Sequence, residues 1–353
     1  MLIDFFLLLS YLCYGNFSMV EKNNIFSISE HTGYSASTVS RVLSGKAQKY
    51  RISQKAVSII TQEAERCHYR PNLLAQSLRT RKTHTIGLLV PGIENPFFSN
   101  LAAILINLLD ARGYRTILAD SRESADEELQ ELEMLQRGGV DGIICVPVSE
   151  SPEVHEKVSV QIPMVLIDRY FRDTTLPYVC TDNYTGAKMA AELLLKKEYK
   201  CILAIQGVPG SIPNQERVSG FVDTLEGHHV DFDIVGNAFS IENGYRETCR
   251  AFGKKKYDAV FAFSATILLG VLKALRERNR QIGKDVGVVS YDNNGFLEFM
   301  EPAITCIEQP LRENAELAVA SLFSIIEARN QGAPDPEILQ QLMPPLLIER
   351  DSC

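Results

Sequence analysis

The apolar positions from Thr85 onward alternate between short strand-like runs and longer helical segments. TIGLLV is followed by the helical segment PFFSNLAAILINLLDARGY, and the runs RTILAD, DGIICVPV and PMVLID continue the series. Short, continuously apolar runs are typical of strands buried on both faces, and strands separated by helices are typical of a parallel sheet. The pattern therefore predicts a doubly wound α/β fold from Thr85 onward.

A second series of the same kind begins after Asp182. A helix from Tyr184, the run CILAIQG, a helix through Arg217 and a strand ending near Phe239 precede the runs AVFAF and DVGVVSYD. We therefore expect two similar α/β lobes, one after the other along the chain. Neither lobe contains GxGxxG or GxxxxGK[ST], so a nucleotide-binding function would lack its phosphate-cradling loop.

The segment that precedes the lobes contains helix caps at short spacing. Ser27 and Glu30 have the spacing of a capping box that begins one short helix. Gly33 can adopt the left-handed backbone of a tight turn, and Ser35 can cap a second helix with an inward apolar stripe. A third helix is expected from Ser53 to about Cys67. The pattern predicts an all-α, helix-turn-helix head.

The second helix, from about Ser35 to Ser44, presents small and hydroxyl-bearing side chains outward, with one arginine a turn later. Small residues let a helix sink into a major groove, hydroxyls reach phosphates or base edges, and a guanidinium binds guanine bidentately. The same pattern also fits an ordinary amphipathic surface helix, so a purely structural role stays open at this point. The outward residues are Ala36, Ser37, Thr38, Ser40 and Arg41.

A short basic segment joins the head to the first lobe. Pro71 and Asn72 can begin a helix, but the segment that follows is too short to form a stable helix in water. Ordered against DNA, the segment could insert Leu78 as an apolar wedge between base steps of a minor groove. The alternative is a plain interdomain linker.

Charge is distributed unevenly along the chain. Residues 19–84 carry eleven Lys/Arg and four Asp/Glu, whereas residues 85–353 carry a net charge of −14. A basic head on an acidic body suits contact with phosphates. The eight cysteines include no CxxC pair, which indicates reduced thiols of a cytoplasmic protein, and no metal site is expected.

The first 18 residues are apolar but fit a signal peptide poorly. Asp4 is their only charged side chain, whereas a secretory segment begins with positive charge. The run is also too short to span a bilayer. We interpret these residues as a tail that results from a start codon assigned too far upstream, and Met19 as the ordinary first residue.

Several motifs in order resemble the LacI/GalR family of bacterial transcription regulators. GYSASTVSRVLSG, YRPNLLAQSLRTRKTHTIGLLVP and NPFF are followed by VLIDR, VCTDNYTGAKMAAELL, ERVSGF, ENGYR, DVGVVSYDN and LLIERDSC. The resemblance covers residues 25–353. It implies a helix-turn-helix head, a hinge helix that orders on DNA, and a body similar to periplasmic sugar-binding proteins. It also implies a homodimer that binds pseudopalindromic operator DNA.

The resemblance also assigns roles in the head and hinge. It implies that Ala36, Ser37 and Arg41 read bases in the major groove. The phosphate contacts would come from Thr38 and Ser40, and the hinge contacts from Asn72 and the intercalating Leu78.

For the body, the resemblance implies a small effector bound between the lobes. Arg217 and Asp292 match the family's effector-binding motifs, and a guanidinium facing a carboxylate suits vicinal hydroxyls. Phe98 and Phe239 could supply apolar walls. Ser264 and Ala265 stand in the pocket region where the family usually has an Asn-Asp pair, so an amide and a carboxylate are missing there. The alternative for Arg217 and Asp292 is a structural ion pair at the lobe interface.

These expectations define a domain plan and a function. The plan is a tail (1–24), a DNA-binding head (25–70), a hinge (71–84) and an effector-binding, dimerising body (85–353). Chain crossings near Asp182, Gln309 and Leu342 would divide the body into an N-lobe (85–182, 310–341) and a C-lobe (183–309, 342–353). We expect a cytoplasmic repressor without cofactor or enzymatic activity, controlled by a sugar-like effector. The alternative is a solute-binding protein of a sugar transporter.

Overall fold

A computed structural model describes residues 24–69 and 82–353, which form two compact units, the head and the body. The predicted tail at 1–18 and the predicted hinge contacts Asn72 and Leu78 lie outside the described residues. None of the described helices is both long enough and apolar enough to cross a membrane.

The head consists of α1 (Ile25–Thr32), α2 (Ala36–Leu43) and α3 (Gln54–Arg66). Gly33 ends α1 with a φ of 72°, and the hydroxyl of Ser35 caps α2 by accepting from the amide of Thr38. These are the turn and cap that the sequence predicts. The side chains that close the small core are Ile28, Val39, Val42, Ile60 and Ala64.

The capping box of α1 lies three residues earlier than predicted. Asn24 is the N-cap, and its Oδ1 accepts from the amides of Phe26 and Ser27 at 2.8 and 3.0 Å. Ser27 Oγ in turn accepts from the Asn24 amide at 3.1 Å. The predicted box from Ser27 to Glu30 was wrong because Asn24 is an equally good cap, and Ser27 takes the return position within the helix.

The N-lobe contains a fully parallel six-stranded sheet in the order β11-β5-β4-β3-β1-β2. Two helices, α4 and α11, cover one face, and α5 and α6 cover the other. The strands are β1 (Thr85–Val90), β2 (Arg115–Asp120), β3 (Gly142–Cys145), β4 (Met164–Ile167), β5 (Tyr178–Thr181) and β11 (Gln340–Met343). The helices are α4 (Pro96–Asp110), α5 (Ala125–Arg137), α6 (Glu153–Gln161) and α11 (Leu311–Asn330).

The C-lobe repeats this plan with the strand order β12-β10-β9-β8-β6-β7, and only β12 runs antiparallel to its neighbour. The strands are β6 (Cys201–Ile205), β7 (Asp231–Val235), β8 (Ala259–Ala262), β9 (Gly287–Tyr291), β10 (Thr305–Glu308) and β12 (Leu346–Ile348). The helices are α7 (Asn183–Lys196), α8 (Ile212–Leu225), α9 (Ile241–Phe252) and α10 (Ala265–Glu277), with a 3₁₀ turn at Gly295–Phe299. The body is therefore the predicted pair of parallel α/β lobes.

The chain passes between the lobes after β5, after β10 and after β11. The third crossing lies slightly beyond its predicted place, because Leu342 and Met343 still pair with Cys180 and Thr181 of the N-lobe sheet. Pro344 and Pro345 follow, and proline has no N–H with which to continue a ladder.

The strand β7 ends at Val235, four residues before its predicted end near Phe239. Gly236 follows with a φ of 106°, a backbone conformation that a strand does not contain. Phe239 is therefore in a loop, and it contributes to the site described below.

The helices α9 and α10 of the C-lobe pack with their backbones in close approach. A Cβ atom on Gly270 would overlap the carbonyl oxygen of Ile241 and the amide nitrogen of Tyr245. We expect Gly270→Ala to lower the free energy of unfolding by about 1–3 kcal/mol, because backbone cannot move aside cheaply. Urea unfolding followed by far-ultraviolet circular dichroism measures this change.

Gly92→Ala is the matched control for this prediction. An added Cβ there meets no atom within 4 Å, and we expect a change of less than about 0.5 kcal/mol. Equal stability of the two variants would show that α9 and α10 can separate without cost.

Candidate functional site

The outward face of α2 carries the five predicted DNA-binding residues of the helix. Ser37 and Arg41 are exposed, and Ala36, Thr38 and Ser40 are half-buried beside them. The hydroxyls of Ser37 and Thr38 each lie 2.9 Å from that of the capping residue. They cluster at the helix N-terminus, where the partial positive charge favours phosphate oxygens.

Arg41 stacks on an aromatic ring that the sequence analysis missed. Its guanidinium carbon lies 4.1 Å from the centroid of the Tyr50 ring, within the range of a cation–π contact. Tyr50 lies in the basic stretch KAQKYR, with Lys46, Lys49 and Arg51 exposed around it. An aromatic residue within a basic stretch was the available signal, although no spacing rule linked it to Arg41.

The carboxyl ends of the two sheets face each other across a narrow space, which we call the inner cleft. It encloses about 30 Å³, roughly the volume of one water molecule. The predicted effector residues Phe98, Arg217, Phe239, Ser264 and Asp292 all line it. The other lining residues are Asn95, Phe97, Asp168, Arg169, Pro213 and Gln309.

Arg217 is held rigidly in the inner cleft. Its Nε donates to Asn183 Oδ1 at 2.8 Å, its Nη1 donates to the carbonyl of Phe263 at 2.5 Å, and its guanidinium carbon lies 3.6 Å from the centroid of the Tyr291 ring. The side chain is buried, so these contacts replace its hydration. Arg217 lines the inner cleft in this fixed conformation.

Asp292 faces the same space from the end of β9. Its carboxylate accepts from Gln309 Nε2 at 2.7 Å and, more weakly, from the amide of Ala265 at 3.4 Å. Burial raises the pKa of Asp292, although the charge of Arg217 opposes the shift. Arg217 and Asp292 belong to the same lobe, and the hydrogen bonds of each go to other residues.

Ser264 caps α10 by accepting from the amide of Ile267 at 3.1 Å, so it has a structural task besides lining the cleft. Phe239 lies against Gly207, where a Cβ atom would overlap the ring. Phe98 is buried and packs edge-to-face on Phe97, with centroids 5.2 Å apart. The two predicted aromatic walls thus come from opposite lobes.

A second carboxylate in the cleft, that of Asp168, was missed by the sequence analysis. Asp168 follows β4 and is 8% exposed. Burial and the nearby charge of Asp292 raise its pKa to about 6, and Arg169 and Arg217 oppose the rise. The available signal was the VLIDR motif, which places an acid at the carboxyl end of a buried strand.

Asp168 and Asp292 share an unusual backbone conformation. Their φ angles are 65° and 71°, in the left-handed region that residues with a Cβ atom rarely adopt. Strained backbone of this kind persists at functional sites when the surrounding structure enforces it. Here each acid ends a buried strand and turns its carboxylate into the cleft.

A larger space of about 550 Å³, which we call the outer cleft, adjoins the inner cleft at Arg169. Loop residues 147–150 and 169–173 of the N-lobe form one wall, and residues 208–215 of the C-lobe contribute the other. Arg169 is fixed by two hydrogen bonds to Glu123 at 2.7 and 2.8 Å. Arg169 thus forms a fixed boundary that the two clefts share.

Few polar contacts hold the lobes together at the cleft. Thr266 Oγ1 donates to Asn95 Oδ1 at 3.3 Å, and the exposed Arg172 pairs with Glu216 at 2.5 Å. Long hydrogen bonds and exposed ion pairs contribute little free energy. These two polar contacts therefore add little to the stability of the closed arrangement.

Comparison with known proteins agrees with this architecture. Residues 86–328 match the periplasmic binding protein domain family. The chain is 30% identical to the ribose operon repressor of Halalkalibacterium halodurans, covering 86% of this chain and 91% of the relative. It is 31% identical to the sucrose operon repressor of Streptococcus mutans, covering 88% and 95%.

Solved structures show the same fold. The lac repressor dimer bound to operator and an anti-inducer superposes with a TM-score of 0.81 at 21% identity, covering 93% of this chain and 98% of that one. A LacI family regulator from Enterococcus faecium with bound ribose gives a TM-score of 0.68 at 27% identity, covering 76% and 98%.

The fold and the two sites define a class of protein, a ligand-controlled DNA-binding regulator with a helical head and a two-lobed body. The chain belongs to the LacI/GalR family of transcriptional regulators.

The raised pKa of Asp168 makes a testable contribution to stability. Because its pKa of about 6 in the folded chain lies above the ordinary value of 3.8, the protonated carboxyl stabilises the fold at acidic pH, and this contribution is lost as the pH rises from about 4 to 6. Asp168→Asn removes the buried charge, and asparagine tolerates a positive φ. We expect the free energy of unfolding at pH 7 to rise by about 1–3 kcal/mol.

Urea unfolding at several pH values between 4 and 7 measures this effect. The difference between the variant and the wild type should shrink as the pH falls toward 4. Asp110→Asn, which neutralises an exposed aspartate at the end of α4, is the control. A difference that does not change with pH would contradict the assignment to Asp168.

Proposed function

We propose that the protein is a transcriptional repressor that acts by binding alone, and that a small polar effector in the inner cleft controls its affinity for operator DNA. The observation that carries this proposal is the convergence of Arg217, Asp168 and Asp292 between two aromatic walls. We propose further that the protein acts in the cytoplasm, where a DNA-binding head has its target.

A sugar or sugar derivative fits the chemistry of the inner cleft best. Each carboxylate can accept from two neighbouring hydroxyls, and the free nitrogen of Arg217 can donate to a third oxygen. Phe98 and Phe239 can pack on the apolar faces of a sugar ring. The family's usual amide is replaced by Ser264, and Asp168 supplies a compensating acceptor from the other lobe. Named relatives include repressors of ribose and sucrose operons, which supports this class.

Control of DNA binding follows from the size of the cleft. At about 30 Å³ the inner cleft is too small for a sugar, so a bound sugar would favour a more open arrangement of the lobes. A ligand shifts an equilibrium only through its different affinity for the two states. Lobe separation is therefore the proposed link between effector binding and the affinity for DNA.

A homodimer is the proposed DNA-binding form. Exposed apolar side chains on both lobes support it, because water-exposed apolar patches often mark protein interfaces. Phe299, in the C-lobe, is 79% exposed. Further exposed apolar side chains include Ile106, Ile117 and Leu118 in the N-lobe and Phe296 in the C-lobe. Each head would place α2 in one half-site, and Asn72 and Leu78 stay predicted contacts of the hinge.

A solute-binding protein of a sugar transporter is the competing function, since the body alone would suit it. The capped three-helix head opposes it. The repressors named above also match this chain over 86% and 88% of its length, which extends beyond the body.

Arg41→Ala tests the proposed DNA surface. An operator is first selected with the wild-type protein from random duplexes, and affinities are then measured by fluorescence anisotropy. We expect a loss of about 1–3 kcal/mol and relaxed selectivity at one base pair, because a bidentate contact to guanine is removed. Arg137→Ala removes an exposed arginine of the body and should leave affinity unchanged. Unchanged binding by Arg41→Ala would refute its role as a base reader.

Arg217→Ala tests the effector site. Ribose, sucrose and hexose phosphates are screened by thermal shift with the wild type, and every sugar that gives a shift is then tested on the variants. We expect Arg217→Ala to abolish the shift, and Arg217→Lys to weaken it because a point charge replaces the planar fork. Arg246→Ala, on the exposed face of α9, is the control. A folded Arg217→Ala variant with a normal shift would place the effector elsewhere.

A further inference from the structure

Three metal-ligating side chains meet on one face of the N-lobe sheet, away from the inner cleft. Glu128 lies on α5, Cys145 ends β3 and His155 lies on α6. A carboxylate oxygen, the thiol sulfur and a ring nitrogen all lie within 4.8 Å of one another. All three residues are 0% exposed. The fold thus brings together three donors that are separated by 17 and 10 positions in sequence.

The imidazole of His155 is the unexplained part of this group. Nε2 lies 3.1 Å from Glu128 Oε1 and pairs with it, whereas Nδ1 has no hydrogen-bond partner in the described body. A buried polar group without a partner is costly and calls for an explanation such as a bound ion. The ring itself is held in place by Phe171, with centroids 5.1 Å apart.

The carboxylate of Glu128 is oriented by the loop that follows β3. It accepts hydrogen bonds from the amides of Val148 and Ser149 at 2.6 and 3.1 Å, and from the hydroxyl of Ser149. Hydrogen bonds of this kind commonly orient carboxylates that ligate metals. Val148 thus holds Oε2, and Ser149 holds Oε1, the oxygen that also lies 3.1 Å from His155 Nε2.

We propose that Glu128, Cys145 and His155 form a site for a divalent transition-metal ion of the Zn²⁺ class. Mixed oxygen, sulfur and nitrogen donors suit Zn²⁺, whereas Mg²⁺ and Ca²⁺ take oxygen ligands. The ion binds the carboxylate, the thiolate and a neutral imidazole, so its two positive charges are balanced within the buried site. Cys145 releases its thiol proton to solvent as the ion binds.

The outer cleft gives the ion a way in and gives the site a connection to the rest of the body. Val148, Ser149 and Phe171 line that cleft and also contact Glu128 or His155. Three protein ligands leave one position of a tetrahedral ion for a solvent molecule. An ion at this site would fix the loop at 147–149, which forms part of the cleft wall.

The head contains a second Cys/His/Glu group, and the experiment has to separate the two. His31, Glu63 and Cys67 also have ligand atoms within 4.8 Å. There, however, the guanidinium of Arg66 occupies the Glu63 carboxylate at 2.7 and 2.8 Å, which disfavours a cation. The test is therefore carried out on the full chain with Cys67→Ser as background.

The test is a titration of the chelator-stripped, untagged protein with Co²⁺, followed by the thiolate-to-cobalt charge-transfer absorption. We expect one Co²⁺ per chain with this absorption, and its displacement by one equivalent of Zn²⁺. Adding Cys145→Ser should abolish the absorption. Cys180→Ser, which removes an equally buried thiol on β5 of the same lobe, should leave it intact.

Two further variants keep the proposal testable if Cys145→Ser does not fold. His155→Gln should also abolish the absorption, and Ser149→Ala should weaken Co²⁺ binding about tenfold by releasing the carboxylate. Circular dichroism confirms folding of each variant. The proposal is overturned if the Cys67→Ser background protein shows no thiolate absorption at one Co²⁺ per chain. It is also overturned if the absorption survives the added Cys145→Ser substitution.

Discussion

The carboxylates of Asp168 and Asp292 and the guanidinium of Arg217 are buried together where the carboxyl ends of the two sheets face each other. Charges in such a place lose their hydration and must be compensated by fixed partners. Arg217 obtains this compensation from Asn183, the Phe263 carbonyl and the Tyr291 ring. The two acids are compensated less completely, and the pKa of each is raised. The unliganded site therefore contains acceptors that a polyhydroxylated ligand can satisfy.

The incomplete compensation of the two buried acids is the basis of the proposed response to a ligand. The stable parts of the body are the two sheets, each covered by its own helices and packed on its own core. Between them lie a long hydrogen bond, an exposed ion pair and two carboxylates whose pKa is raised by burial. A ligand that satisfies these acceptors in one arrangement of the lobes changes the balance between arrangements by its differential affinity. The strained φ angles of Asp168 and Asp292 belong to the same arrangement, since rigid strands hold both acids in position.

The head has to fix three helices with very few core residues. Its five buried core side chains are enough to fix three helices, because Gly33 makes the turn and Ser35 and Ser53 cap the helices that follow. The outward face of α2 then carries the side chains that we propose to contact DNA, and Tyr50 restrains the one long side chain among them. Rigid presentation reduces the entropy that a contact loses on binding.

Sequence alone determined the features that depend on local spacing. The alternation of apolar runs and helices predicted two parallel lobes, and the caps and the turn glycine predicted the head. The resemblance selected five predicted effector residues, and all of them line one cleft, because strand ends, loops and the helices that follow gather at one edge of a parallel sheet. Even the local errors have local causes: Asn24 displaced the predicted capping box, and Gly236 ended β7 early.

Tertiary structure alone decided which distant residues meet and how closely. Asp168 faces Arg217 only because the two sheets oppose their carboxyl ends, and the sequence gives no measure of that distance. The same is true of Tyr50 beside Arg41, and of Glu128, Cys145 and His155, which come together only when α5 and α6 pack on one face of the sheet. The size of the inner cleft depends on the separation of the lobes. That separation is set by contacts between residues that are far apart in the sequence, and no motif along the chain encodes it.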